Sequence, residues 1–151
     1  MQINKLLTPE CTLAGVSGVS KKRLFETIAD FAATLFPETD SEDIFDCLIE
    51  RERLGSTGVG EGVAIPHCRL EKCDSAIGIL MQLSEPIDFD AIDSMPVDLV
   101  FTLLVPEAAV NSHLESLQAI ATNFNKPEYR EALRNAQTDM ELYAAATEES
   151  D

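Results

Sequence analysis

Apolar residues recur at helical spacing in the first third of the chain and close into nearly unbroken runs in its middle. Residues 1–18 read as a loop or short strand. Leu24, Ile28, Phe31 and Leu35 then predict a helix from about Lys21 to Phe36. Ser20 is its expected N-cap, Val19 against Leu24 its hydrophobic staple, and Pro37 its stop. A second helix is expected to start near Thr39 to Ser41, where Thr39 and Glu42 have capping-box spacing. Its buried face carries Ile44, Phe45, Leu48 and Ile49, and it ends near Gly55 with Arg51 and Arg53 in the last turn.

The middle of the chain changes period. Val63-Ala64-Ile65 reads as a buried strand ended by Pro66, which cannot donate to a ladder. The runs 76–83 and 97–105 have strand length, and the second is continuous enough to be covered on both faces. Between them lies an acidic connection, Pro86 to Pro96. After Pro106 the pattern is helical again. Ser112 and Glu115 have capping-box spacing, with Leu114, Leu117, Ala121 and Phe124 as the buried stripe. Pro127 opens a shorter helix through Leu133, and Thr138 with Glu141 caps a last helix before a polar tail. With no repeat or linker in view, 1–151 is expected to form a single α/β domain.

Composition narrows the partners. The 151 residues carry a formal charge of −16. Such a surface repels nucleic acid and anionic lipid. It suits a partner with a basic rim, although solubility alone would also account for it. The start MQINKLLTPE lacks a basic segment followed by an apolar run, and no apolar stretch approaches about 18 residues, so neither export nor membrane insertion is expected. Cys11, Cys47, Cys68 and Cys73 show no disulfide-scaffold spacing, which makes reduced thiols in a cytosolic protein the expectation.

The densest chemistry lies in RERLGSTGVGEGVAIPH, residues 51–67. His67, one of two histidines, is expected at the end of a rigid strand. A neutral imidazole held in one tautomer is a nucleophile towards phosphorus. Arg51 offers a planar fork for phosphate oxygens, while its position also fits simple complementarity to a helix C-terminus. The loop Gly55–Gly62 would bring backbone N–H groups and the hydroxyls of Ser56 and Thr57 close to the site. His113, near the start of a predicted helix, could add a hydrogen bond. Spacing alone does not bring His67 and His113 together, and the loop lacks the pattern of a nucleotide-binding loop. Asp88, Asp90 and Asp93 alternate with apolar residues without EF-hand spacing, and His67, Cys68, Cys73 and His113 match no zinc-finger spacing, so no metal or cofactor is assigned. No Ser-His-Asp pattern or acid/base carboxylate pair accompanies His67, which disfavours an independent hydrolase.

The same run, with the later PIDFDAIDSMPVDLVFTLLVP and SHLESLQAIA, resembles the type-2 EIIA domain of the bacterial phosphoenolpyruvate-dependent phosphotransferase system, the fructose/mannitol EIIA superfamily. The start INKLLTPECTLAGVSGVSKKRLFETIA is similar to the stand-alone nitrogen-regulatory branch, and the resemblance spans about residues 3–146. It implies a mixed parallel/antiparallel sheet of about five strands flanked by helices. It also implies that His67 of the IPH motif is a tele-phosphohistidine, charged on Nε2 by an HPr-like carrier. Arg51 and His113 would hold the phosphoryl oxygens. The output would be control of protein targets, with potassium transport and sensor kinases associated with the branch. Two alternatives stay open: a sugar-specific EIIA that passes phosphate to an EIIB subunit, and a binding module that no longer accepts phosphate. One departure stands out, because the residue after the histidine is commonly glycine in the family and here is Cys68.

Overall fold

The computed structural model describes residues 3–17, 20–71, 75–107 and 110–148, with the backbone alone at 110–113. Two 3-10 turns (Ile3–Lys5, Pro9–Cys11) lead into strand β1 (Thr12–Val16), followed by helices α1 (Lys21–Leu35) and α2 (Ser41–Arg53). Three short strands follow, β2 (Gly58–Gly60), β3 (Val63–Ala64) and β4 (His67–Leu70), then two long ones, β5 (Ile77–Ile87) and β6 (Val97–Pro106). Helices α3 (Val110–Phe124), α4 (Pro127–Asn135) and α5 (Asp139–Thr147) complete the order. The result is an α/β fold whose described residues form a six-stranded mixed sheet, in line with the expected sheet of about five strands flanked by helices.

The order is β1-β5-β6-β3-β2, with β4 also on β6. β6 is central because its sequence allows it: nearly every residue from Val97 to Val105 is buried, as expected of a strand covered on both faces. It pairs antiparallel with β5 and parallel with both β3 and β4. The latter two form one interrupted strand. Val63 faces Leu99 and His67 faces Leu103, so the register is kept across the gap. The interruption is chemical. Pro66 has no N–H to donate, yet its carbonyl still accepts from Leu103 N at 2.8 Å. Ile65 turns its N–H the other way, to Thr57 O at 2.9 Å. His67 is therefore the first residue of a strand that continues past the proline, where the sequence placed it at a strand's end.

Aromatic contacts lock the layers. Phe101 of β6 meets Phe124 of α3 edge-on, with centroids 6.1 Å apart, and Phe124 meets Tyr129 of α4 at 5.3 Å. Such pairs add about 0.5–1.5 kcal/mol beyond area burial. Gln82 ties β5 to its neighbours, donating to Leu133 O and Ala136 O while accepting from Gly15 N.

Several sequence expectations hold and others shift. Ser20 caps α1 by accepting from Arg23 N, and Thr138 caps α5 by accepting from Glu141 N. Val19 lies outside the described residues. Helix α2 is capped by Asp40, which accepts from Glu42 N, because the Thr39 hydroxyl is taken by Phe36 O. Helix α3 starts at Val110, so Ser112 falls inside its first turn and is not its N-cap. The stripe of α3 holds in part: Phe124 is buried and Leu117 packs partly buried against the core, while Leu114 and Ala121 are exposed and Ser116 and Ile120 are buried.

Candidate functional site

Arg51 and His67 meet. Arg51 Nε donates to His67 Nε2 at 3.1 Å, across 16 residues of sequence. The other ring nitrogen, Nδ1, lies 2.9 Å from the carbonyl of Ile65. Both bonds require the same tautomer. Nδ1 carries the proton and donates to Ile65 O, and Nε2 presents its lone pair. Pro66 holds this arrangement by fixing the turn between the Ile65 carbonyl and the ring that folds back over it.

Electrostatics keep the ring neutral. Burial of the half-buried imidazole lowers its pKa below the ordinary 6.5. The Ile65 carbonyl opposes this, the Arg51 charge adds to it and the Glu52 charge opposes it, with burial the largest effect. The outcome is an unprotonated Nε2 at neutral pH.

Arg51 is tethered from behind, its Nη1 donating to Gly55 O at 2.8 Å. Its positive charge meets a neutral ring and a carbonyl, and it forms no ion pair among the described residues. Arg53, Arg69 and Arg51 all line the groove of about 730 Å³ that opens over His67. A chain with a net charge of −16 thus places three of its 11 basic residues around one histidine. Leu54, 85% exposed, supplies an apolar rim.

The glycine-punctuated loop does a different job from the expected one. The N–H and hydroxyl of Thr57 both donate to the Glu52 carboxylate, the hydroxyl at 2.6 Å. The Ser56 hydroxyl donates to Phe89 O and accepts from Gly58 N. These groups anchor the loop to α2 and to the 88–95 connection. They are not turned to the groove. The tight turn from β2 into β3 uses positive φ at Gly60 (103°), Glu61 (60°) and Gly62 (79°).

His113 is the fourth residue of α3, the helix that follows β6, whose Leu103 sits beside His67. Its side chain lies outside the described residues, as does Cys73. The acidic connection is a set of turns. Asp93 accepts from Glu61 N and Met95 N, and Asp88 accepts from Asp90 N. Among the described residues no group of three or more His, Cys, Asp or Glu side chains is placed to hold a metal ion.

Sequence reasoning missed the Ile65 carbonyl, Glu52 and Arg69. The first carries no side-chain signal. Glu52 was findable as the carboxylate between two arginines that needs a buried partner, and Arg69 as the next outward residue of the strand.

The family described as phosphoenolpyruvate-dependent sugar phosphotransferase system, EIIA 2, matches residues 5–148. The chain belongs to this family. A nitrogen regulatory protein of Pseudomonas aeruginosa is 50% identical over 143 residues, covering 95% of this chain and 93% of that protein. The crystal structure of the nitrogen regulatory protein IIA-Ntr of Neisseria meningitidis aligns with a TM-score of 0.88 at 40% identity, covering 96% of this chain and 99% of the other. The enzyme IIA of the mannitol system of Escherichia coli, in its complex with phosphorylated enzyme IIB, shares the fold at 17% identity and a TM-score of 0.76, covering 93% and 98%. The EIIA chain described here is therefore related to regulatory proteins of the phosphotransferase system. Among its described residues no helix is long and apolar enough to cross a membrane.

Proposed function

We propose that this EIIA protein is a cytosolic phosphohistidine carrier and regulator, charged on His67 Nε2 by an HPr-like donor. The observation that supports this reading best is the 3.1 Å contact between Arg51 Nε and a neutral His67 Nε2. The Nε2 lone pair attacks the phosphorus of a donor phosphohistidine from the side opposite the donor nitrogen. The N–P bond to the donor breaks, and its electron pair stays on the donor ring. Positive charge gathering on the His67 ring is eased by the Nδ1–H bond to Ile65 O.

Arg51 must give up its bond to Nε2 as phosphorus arrives. Its guanidinium, paired with no carboxylate among the described residues, then turns to the phosphoryl oxygens. His113, in the first turn of α3, is the proposed second holder of those oxygens. The residues 1–151 act as one domain in this reading. Phosphorylation adds about two negative charges among three arginines, enough to change which protein docks on the groove. Targets of the kind associated with the branch, in potassium transport or sensor-kinase signalling, would read that change. The 50% identity to a nitrogen regulatory protein favours this output over sugar uptake through an EIIB subunit.

The test is to incubate the protein with phosphoenolpyruvate, enzyme I and an HPr-type carrier and record its intact mass before and after acid. One acid-labile phosphoryl group, absent from His67→Gln, is the expected result. No gain of mass with a competent donor would leave a binding module that does not accept phosphate.

A further inference from the structure

We propose that Cys47 and Cys68 form a peroxide-reactive dithiol that closes into a disulfide beside His67, regulating the phosphoryl transfer proposed above and resting on that reading. The two residues frame the site. Cys47 lies one helical turn before Arg51 on α2, and Cys68 directly follows His67 on β4. The Cys47 thiol already reaches from helix to strand, donating to Arg69 O at 3.1 Å. That bond sets the Cys47 sulfur against the backbone of the residue that follows Cys68, and Cys68 is the strongest influence on the Cys47 thiol. Both sulfur-bearing residues line the groove that exposes His67, so a small oxidant entering it meets Cys47 first, since Cys68 is buried.

The two thiols have different roles. Cys47 is held below the ordinary thiol range, chiefly by the Cys68 hydrogen bond, with burial opposing and the Arg69 backbone assisting. Cys11 is the contrast: burial raises its pKa and keeps it a thiol. Cys47, the more exposed of the two in the groove, is thus the attacking group and reacts through its thiolate form. It takes one oxygen of hydrogen peroxide to become a sulfenic acid, and the displaced hydroxide takes up a proton and leaves as water. The Cys68 sulfur then attacks the sulfenic sulfur, the S–S bond forms and a second water leaves. Two thiols and one peroxide give one disulfide and two waters, and a dithiol reductant reverses the step.

The consequence for transfer is geometric. A disulfide sulfur pair stands about 2.05 Å apart, far closer than two unlinked thiols, so bond closure draws the Cys47 turn of α2 towards β4. Arg51 rides on the next turn of that helix, and about 1 Å of misplacement at a transfer site costs up to a hundredfold in rate. The oxidised protein should accept phosphate at least about tenfold more slowly.

The test begins with the reduced full chain and hydrogen peroxide, followed by alkylation and peptide mapping. A Cys47–Cys68 linked peptide, released by dithiothreitol, is expected. Linkage of any other pair, or oxygen added at Cys47 with no cross-link, overturns the proposal. Phosphate uptake is then followed for reduced, oxidised and re-reduced protein, and for Cys68→Ala treated with peroxide. Slow uptake only in the oxidised wild type is expected, and equal uptake by cross-linked and reduced protein overturns the regulatory role. Reduced protein that takes up no phosphate would instead sink the carrier reading, while the mapping result would still decide the dithiol.

Discussion

Two arginines, one bonded to Asp98 of β6 and one to His67 beside Leu103 of β6, are held in opposite ways. Arg134 of α4 grips Asp98 with Nε at 3.0 and 3.1 Å and with Nη2 at 3.0 Å, and spends a further Nη2 bond on Glu61 O. Its charge is neutralised where it sits. Arg51 is also held by hydrogen bonds, two against four, but its acceptors are a neutral imidazole and a carbonyl. A guanidinium clamped to a carboxylate fixes the position of a turn. One clamped to neutral acceptors is positioned while its charge stays available for an anion. Side chains of one chemical type thus take a structural or a functional role according to the charge of their acceptors.

The hardest break of this comparison removes the acceptor. His67→Gln is expected to abolish phosphate uptake in the intact-mass assay while leaving the unfolding midpoint within a few degrees, since the half-buried ring packs in no core stripe. Uptake by this variant would reassign the nucleophile. Next comes Arg51→Lys, which keeps the charge and loses the planar fork. Transfer measured by rapid quench should slow by about 10–100-fold, in line with about 1.5–3 kcal/mol for a charge-assisted hydrogen bond. The matched substitution at the other arginine sharpens the contrast. Arg134→Lys should leave transfer unchanged and lower stability in urea by about 1 kcal/mol, a modest figure because the pair is partly exposed. Equal effects of the two substitutions on transfer would erase the distinction.

Much of this was legible from local chemistry. Ser20 and Thr138 announce their caps because the bond they make spans three residues, and the apolar run of β6 announces a strand covered on both faces. Thr39 misled because a hydroxyl can bond backward as well as forward, and the residue after it carried a better acceptor. The face of α3 misled for a different reason. Leu114 and Ile120 both satisfy a helical period, and the packing of Phe124 between Phe101 and Tyr129 selects the rotation. At the site, the sequence supplied Arg51 and His67 as candidates, and the resemblance supplied their pairing. The carbonyl that sets the tautomer had no signature, since every residue has a carbonyl and only the turn at Pro66 aims this one at a ring.

That tautomer has a measurable cost in acid, the smallest effect expected here. Folding holds the His67 pKa below its ordinary 6.5, chiefly by burial. As pH falls below 6.5 the unfolded chain takes a proton at His67 that the folded chain resists, so the unfolded state gains and stability drops. The loss stops once pH passes the folded value, because both states are then protonated. Each tenfold difference in proton affinity corresponds to about 1.4 kcal/mol. The comparison to make is wild type against His67→Gln, by urea unfolding at several pH values, so that carboxylates and His113 cancel. The wild type is expected to lose stability relative to the variant below pH 6.5 and to run parallel to it above. A difference that grows in favour of the wild type on acidification would mean that the folded site prefers the imidazolium. Arg51 could not then be donating to Nε2, and the contrast with Arg134 would lose its basis.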